Sequence, residues 1–203
     1  MPAASIHMSI CKIINKKYKR GENFLIGNIA PDCWRHSLYH ANKEKSHFIK
    51  NSIEDYNAFF EKYKNEMDDD FTFGYLVHLM TDNYWKKFVL PKYKINNQTV
   101  KLLNGDLYTG TIEEIKELLH INNQIATYNI SKHFNLKLLN TNIKISCIIE
   151  EIDLSGLIKT IEHVNKVNFS KPFQESNMYI MSELYEEIEK CSQYLIETID
   201  NLM

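Results

Sequence analysis

The sequence predicts an all-α fold, a multi-helix bundle that forms one domain over residues 1–203. Only 6 Gly and 4 Pro punctuate the chain, and its apolar residues recur mostly at helical spacing. The segment over residues 71–88, FTFGYLVHLMTDNYWKKF, is the most apolar of these helices and should be largely buried. A chain of this length can bury about 70% of its unfolded surface, so a sizeable core is possible.

Near the N-terminus, residues 5–19 are predicted to form an amphipathic helix. His7 lies beside its apolar stripe, near the helix start. The stripe consists of Ile6, Ile10, Ile13 and Ile14. After Gly21 the segment NFLIGNIAPDCW is apolar through Ile29, and Pro31 should end any helix just before it. Asp32 is therefore expected where helix gives way to loop.

Residues 35–48, RHSLYHANKEKSHF, are polar and lack a firm period, so a loop is predicted there. This segment carries three histidines, His36, His40 and His47. The first two can equally be surface residues. Ser52 with Asp55 fits a helix N-cap, because apolar residues then follow at helical spacing.

Two further helix starts are predicted from capping patterns. The acidic run at residues 68–70 precedes the apolar helix, and a solvated cap explains it better than calcium binding, because the helix dipole favours carboxylates there. Residues 92–109 are polar and should form a long loop or a short ribbon. Thr111 with Glu114 is a capping-box pattern that starts a helix reaching His120.

The last part of the chain is predicted to be helical as well. Amphipathic helices are expected over residues 125–140, 143–165 and 176–202. Their two histidines, His133 and His163, are assigned to the surface or the core.

Composition limits the partners and the location of the protein. Lys and Arg number 24 against 26 Asp and Glu, so there is no electrostatic case for a nucleic-acid partner, although none is excluded. The N-terminus lacks a signal-peptide pattern, and no segment is apolar and long enough to span a membrane. The four cysteines are far apart, with no CxxC pair, which favours reduced thiols in a cytoplasmic protein. They are Cys11, Cys33, Cys147 and Cys191.

His78 and Asp82 lie four residues apart in the apolar helix. Four residues advance a helix by about 6 Å and just over one turn, so both side chains can reach one ion. The carboxylate needs a partner, since burying an unpaired charge costs several kcal/mol. A metal ion, an Arg, a Lys or a helix N-terminus can each serve, and a hydrogen-bonded core pair is the alternative.

Four short segments carry possible metal ligands in order: PAASIH, GNIAPD, KSHF and GYLVHLMTD. Imidazole and carboxylate are, with thiolate, the ligands that zinc prefers. These segments resemble the zinc-dependent phospholipase C family, which is related to the single-strand-specific zinc nucleases. The resemblance covers residues 2 to about 90. In that all-α family an early His, an Asp, a His about fifteen residues later and an HxxxD helix build part of a three-zinc cluster, so a metal site between helices is implied.

By this resemblance Asp32, His47, His78 and Asp82 would bind one zinc, and Asp82 would bridge to a second zinc held partly by His7. The family's second zinc also uses the amino-terminal residue. Here the residue after Met1 is Pro2, which normally permits removal of the Met, so a new terminus could take that role. If Met1 stays, the second zinc should be weak or absent.

The remaining zinc of the family uses a His after the HxxxD helix and then an HxxxE or HxxxD pair. In this chain His120 is followed four residues later by Gln124, and neutral Gln is a poor zinc ligand. His120 is therefore a candidate ligand of a degraded site, with a structural role as the alternative. About two zinc ions are expected, and the third site is doubtful.

The resemblance implies a zinc-dependent phosphodiester hydrolase that acts on a small phosphodiester or a phospholipid head group. Two zinc ions can lower the pKa of a shared water to about 7 and clamp a phosphoryl oxygen. Asp32 would then be the catalytic residue beside the attacking water, as ligand and possible base. A non-catalytic, metal-stabilised helical protein and a helical binding module without metal are the alternatives. The oligomeric state is not indicated.

Overall fold

The computed structural model describes residues 2–37, 42–142, 149–172 and 175–203, and most of them are helical. The all-α multi-helix fold is thus confirmed. The α-helices are α1 Ala4–Tyr18, α2 Glu22–Ile29, α3 Lys43–Ser46, α4 Tyr56–Tyr63, α5 Asp70–Tyr84, α6 Leu90–Tyr93, α7 Ile112–His133, α8 Leu157–Phe169 and α9 Met181–Leu202. Short 3-10 helices cover Ala30–His36, Lys64–Glu66 and Leu154–Gly156, and a π-helical turn covers Trp85–Val89.

Two small antiparallel ribbons complete the described structure. Strand β1 Ile49–Lys50 pairs with β2 Ile53–Glu54, and β3 Thr99–Lys101 pairs with β4 Leu107–Thr109. The second ribbon confirms one of the two forms predicted for residues 92–109.

Helix α5 is the centre of the core. Every residue from Phe71 to Tyr84 is buried, as predicted from the apolar sequence. The helix contacts α1, α2, α4 and α9, so apolar neighbours surround it on several sides. Any polar group on α5 therefore needs a partner inside the protein.

Two glycines let the backbones of α2 and α5 touch. A Cβ atom on Gly74 would lie 2.1 Å from the carbonyl oxygen of Phe24, and one on Gly27 would lie 1.9 Å from that of Phe71. Any side chain at these positions would collide with the facing backbone, so only glycine fits. The contact brings the end of α2, and the 3-10 helix Ala30–His36 that follows it, against the middle of α5.

The predicted caps are present with one change. Thr111 and Glu114 form the capping box of α7, with reciprocal hydrogen bonds. Asp69 accepts a hydrogen bond from the Thr72 N–H at 2.8 Å, which agrees with the cap interpretation of the acidic run. Helix α4 is capped by Asp55, whereas Ser52 has a φ of 64° in the turn between β1 and β2.

Other helix boundaries differ from the prediction. The helix predicted over residues 143–165 is wrong over residues 149–156, which precede the start of α8 at Leu157. Asp153 accepts a hydrogen bond from the Ser155 N–H at 2.9 Å, and this cap starts a short 3-10 helix instead. Residues 143–148 lie outside the described part of the chain, as do His40 and Cys147.

The remaining predicted boundaries change less. Helix α7 runs unbroken from Ile112 to His133, so the helix predicted over residues 125–140 is its second half and ends early, before Asn135 with a φ of 47°. The predicted loop over residues 35–48 contains the end of a 3-10 helix and all of α3. Among the described residues, no helix has the length and apolar character needed to cross a membrane.

Candidate metal centre

The five residues predicted as the main metal ligands come together from four elements. His7 lies on α1, Asp32 in the 3-10 helix Ala30–His36, His47 directly after α3, and His78 and Asp82 on α5. Four of the side chains are buried, and that of Asp32 is 19% exposed. We call these five residues the ligand group.

Asp82 is at the centre of the ligand group. Its Oδ1 atom lies 3.3 Å from Nε2 of His7, and its Oδ2 atom lies 3.8 Å from Nε2 of both His47 and His78. The rings of His7 and His78 stack with centroids 4.0 Å apart. Three imidazole nitrogens thus face one carboxylate.

Asp32 extends the ligand group toward the surface. Its Oδ1 atom lies 3.7 Å from Nε2 of His47, and Nε2 of His47 lies 3.4 Å from Nε2 of His78. Two sets of three possible ligand atoms have all members within 4.8 Å of one another, and both sets include His78. The sets are His7, His78 and Asp82, and Asp32, His47 and His78.

Several of these atoms have no hydrogen-bond partner among the described residues. They are both oxygens of Asp82, Oδ1 of Asp32 and both ring nitrogens of His7, all of them buried. A buried polar atom without a partner is costly, and a buried carboxylate without one more so. A divalent cation would satisfy these atoms together, and this imidazole and carboxylate set is one that zinc binds. The residues therefore fit a metal site.

The pKa shifts agree with metal binding. Burial, reinforced by the nearby His7 imidazole, lowers the pKa of His78 to about 3, and burial also lowers the pKa of His47. For Asp82, burial acts to raise the pKa, but the surrounding imidazoles outweigh it and hold the pKa well below its usual range. At neutral pH His47 and His78 are thus neutral and Asp82 is ionised, the forms that bind zinc.

A family model described as zinc dependent phospholipase C matches residues 6–182 of the chain. The chain belongs to this family. The matched residues include the whole ligand group, and they extend well beyond the N-terminal half of the chain, which carries the sequence resemblance. No curated protein and no solved structure matched the chain.

Neighbouring hydrogen bonds orient two imidazoles of the ligand group. The Nδ1–H of His78 donates to the backbone oxygen of Asn28 at 2.6 Å, which leaves Nε2 directed at Asp82. Nδ1 of His47 lies 2.9 Å from the hydroxyl of Ser46, whose backbone oxygen accepts a hydrogen bond from Tyr75. Such bonds to the second ring nitrogen fix the tautomer and orientation of metal-binding histidines.

Asn28 has a larger role than the sequence suggested. With its side-chain amide oriented to satisfy its neighbours, Nδ2 donates to the backbone oxygen of His7 at 3.0 Å and Oδ1 accepts from the backbone N–H of His78 at 3.1 Å. Asn28 is fully buried and so connects α1, α2 and α5 at the ligand group. A single Asn within the apolar run FLIGNIA was the signal that could have revealed it.

His120, the candidate for the family's third zinc, lies exposed on α7. Its Nε2 atom is 2.8 Å from Nε2 of Gln124, and neither set of close ligand atoms among the described residues includes it. Its role as a ligand stays a prediction. His133, assigned to the surface or the core, is exposed and stacks on Tyr185, with ring centroids 3.8 Å apart.

Proposed function

We propose that this protein is a zinc-dependent phosphodiester hydrolase that acts on a phospholipid head group or another small phosphodiester. The observation that supports this most is the buried ligand group, in which both oxygens of Asp82, one of Asp32 and both ring nitrogens of His7 have no hydrogen-bond partner among the described residues. Membership of the zinc dependent phospholipase C family supports both the metal and the lipid class of substrate. The extent of the domain over residues 1–203 and the cytoplasmic location stay predictions.

About two zinc ions are proposed. Asp32, His47, His78 and Asp82 would hold the first, and Asp82 with His7 would hold part of the second. When bound, the metal pair would supply a water molecule of lowered pKa and would polarise the phosphoryl group.

Asp32 is the proposed catalytic residue. It is the most exposed member of the ligand group, so it faces the side from which substrate can enter. Neighbouring imidazoles and Arg35 outweigh the effect of burial and lower the pKa of its carboxyl, which is therefore ionised and able to accept a proton. The guanidinium of Arg35 lies 3.5 Å from Asp32 Oδ1 and is 52% exposed, within reach of a phosphoryl oxygen.

An open cleft of about 690 Å³ borders this side of the molecule. The size is within the range of small-molecule sites. Trp34 and Lys43 line it, and they belong to the two segments that carry Asp32 and His47. The described lining of the cleft contains no member of the ligand group, so a head group bound there would lie beside the metal ligands, with Lys43 available to offset its negative charge.

The test combines metal analysis of the purified protein with turnover of phosphatidylcholine vesicles and bis(p-nitrophenyl) phosphate. We expect about two zinc ions per chain and hydrolysis that a chelator abolishes and added zinc restores. Asp32→Asn should lower kcat by about 100-fold or more, as expected for loss of a general base.

A non-catalytic, metal-stabilised protein is the second candidate, and Gln124 in place of the family's carboxylate favours it. Zinc binding without turnover of any phosphodiester would support this candidate over the hydrolase. A protein that contains no zinc and takes up none on titration would overturn both.

A further inference from the structure

A group of basic side chains lies beside the ligand group, and all of its members except Arg35 have no role in the proposed reaction. Its members come from three elements: Arg35 and His36 from the 3-10 helix Ala30–His36, His120 from α7, and His163 and Lys166 from α8. We call them the basic cleft.

Close packing of α8 on the 3-10 helix brings these residues together. A Cβ atom on Gly156, just before α8, would lie 2.3 Å from the backbone oxygen of Cys33 and 2.7 Å from the backbone nitrogen of Ser37. About two helical turns further on, the ring of His163 lies 5.4 Å from the ring of His36, measured between centroids. Arg35, the residue before His36, is also the residue that contacts Asp32, so the basic cleft adjoins the ligand group.

The groups that surround His163 are basic. The ring of His163 lies against that of His36, Lys166 is three residues further along α8, and His120 is on α7, which contacts α8. Burial lowers the pKa of His163, and His36, Arg35, Lys166 and His120 lower it further. The imidazole of His163 is exposed, as are His120, Arg35 and Lys166, while His36 is half-buried. Several N–H donors and two fixed positive charges thus face solvent around one small area.

The charges decide between a cation and an anion as ligand. Three imidazoles alone could suggest a metal, but the neighbouring guanidinium and ammonium groups repel a cation. No set of three close ligand atoms among the described residues falls in this cleft, and His120 faces neutral Gln124. Arginine and lysine with imidazole N–H groups are instead the donors that recognise phosphate.

We propose that the basic cleft binds a phosphate monoester carried by the substrate, so that the substrate is a phosphodiester with a second, terminal phosphate group. This proposal rests on the proposed function. The diester would bind at the ligand group, next to Asp32. The terminal phosphate would bind in the basic cleft, next to Arg35, His36 and His163. A phosphorylated lipid head group and a soluble phosphorylated diester both carry this chemistry.

Binding is tested first, by NMR of the histidine side chains in the zinc-loaded protein. Titration with inorganic phosphate should shift the ring signals of His36 and His163, whereas chloride at equal ionic strength should not. Lys166→Gln should weaken this response by about 10-fold, the effect of one charge-assisted hydrogen bond at an accessible site. Lys137→Gln, which removes an exposed charge elsewhere, should leave it unchanged.

Specificity is tested next, by comparing kcat/KM for diesters with and without a terminal phosphate. The lipid arm uses vesicles with a phosphorylated or an unphosphorylated head group, and the soluble arm uses a matched pair of small diesters. The phosphorylated member should be preferred, and both Lys166→Gln and His163→Gln should reduce the preference by about 10-fold. Zinc content should stay the same in both variants.

Each contrary result has a separate meaning. Turnover of diesters with no preference for a terminal phosphate would overturn this proposal and leave the proposed function intact. Loss of zinc in His163→Gln would make the cleft a metal site and overturn the proposal as well. If no diester is turned over, the proposed function fails, and the substrate class proposed here fails with it. In that case, NMR shifts of His36 and His163 that phosphate causes and Lys166→Gln weakens would still support anion binding in the basic cleft. If phosphate caused no shifts, anion binding in the basic cleft would be overturned as well.

Discussion

Asp82 places a buried carboxylate among the three imidazoles of the ligand group. Both of its oxygens are buried, face three imidazoles and have no hydrogen-bond partner among the described residues. A carboxylate in this position destabilises a protein unless a cation or strong donors compensate. The imidazoles offset part of this cost, and we propose that a bound metal offsets the rest.

Removal of one ligand should show this dependence. We expect His47→Ala to lose zinc from the main site and to be destabilised by about 3 kcal/mol or more, because Asp32 and Asp82 then share a buried site without a cation. Elemental analysis and thermal unfolding measure the two effects. His133→Ala, at an exposed position, is the control and should change neither. If His36→Ala removed zinc as effectively as His47→Ala, the ligand would have been assigned to the wrong histidine.

At the scale of the element, the contact between α2 and α5 positions the site. The two backbones meet at Gly27 and Gly74, and this contact sets the distance between Asn28 and His78. The hydrogen bonds of Asn28 to both α1 and α5 depend on the same spacing. A small change in helix separation should therefore misalign the ligands.

Gly74→Ala tests this dependence. Its Cβ atom would lie 2.1 Å from a backbone oxygen of α2, so the helices must separate, and we expect a loss of about 3 kcal/mol, typical of overpacking. Zinc affinity should fall too, although no ligand is changed. Gly21→Ala is the matched control, because its nearest neighbour, at 2.8 Å, belongs to the side chain of Asp70, which can move. Equal effects of the two substitutions would show that the helix contact is not what positions the site.

For the whole molecule, the buried imidazoles make the stability of the metal-free protein depend on pH. The pKa of His78 is about 3 in the folded protein, against the ordinary value of 6.5. Between these two values the unfolded chain binds a proton that the folded chain does not, so stability rises with pH and falls on acidification. The lowered pKa of His47 acts in the same direction.

The midpoint of thermal unfolding of the metal-free protein should therefore drop steadily as pH falls from about 6.5 toward 4. His78 contributes about 1.4 kcal/mol per pH unit in this range. Unfolding curves across the range give the slope, and His78→Asn should reduce it. A midpoint that is constant or rises on acidification would contradict the assignment of neutral, buried imidazoles.

Local sequence signals predicted much of this protein. The scarcity of Gly and Pro predicted helices, the apolar run predicted the buried α5, and the pairs Thr111 with Glu114 and Asp69 with Thr72 are local hydrogen-bonding patterns that need no tertiary information. Local patterns also account for the wrong prediction over residues 149–156, which are not α-helical. Helical periodicity continued upstream of Leu157, whereas the chain there is held by the cap at Asp153 and by the close contact of Gly156 with the 3-10 helix.

The sequence by itself therefore determined the helical class, the family and the residue types available to a metal. It could not determine which of those residues meet, because periodicity shows which face of a helix is buried but not what covers it. Only the tertiary structure decided that α2 and α5 touch through glycine, that Asn28 connects three helices, and that His36 meets His163 across 127 positions of the chain. Those contacts depend on side-chain volumes and backbone approach between distant segments, which no local pattern records.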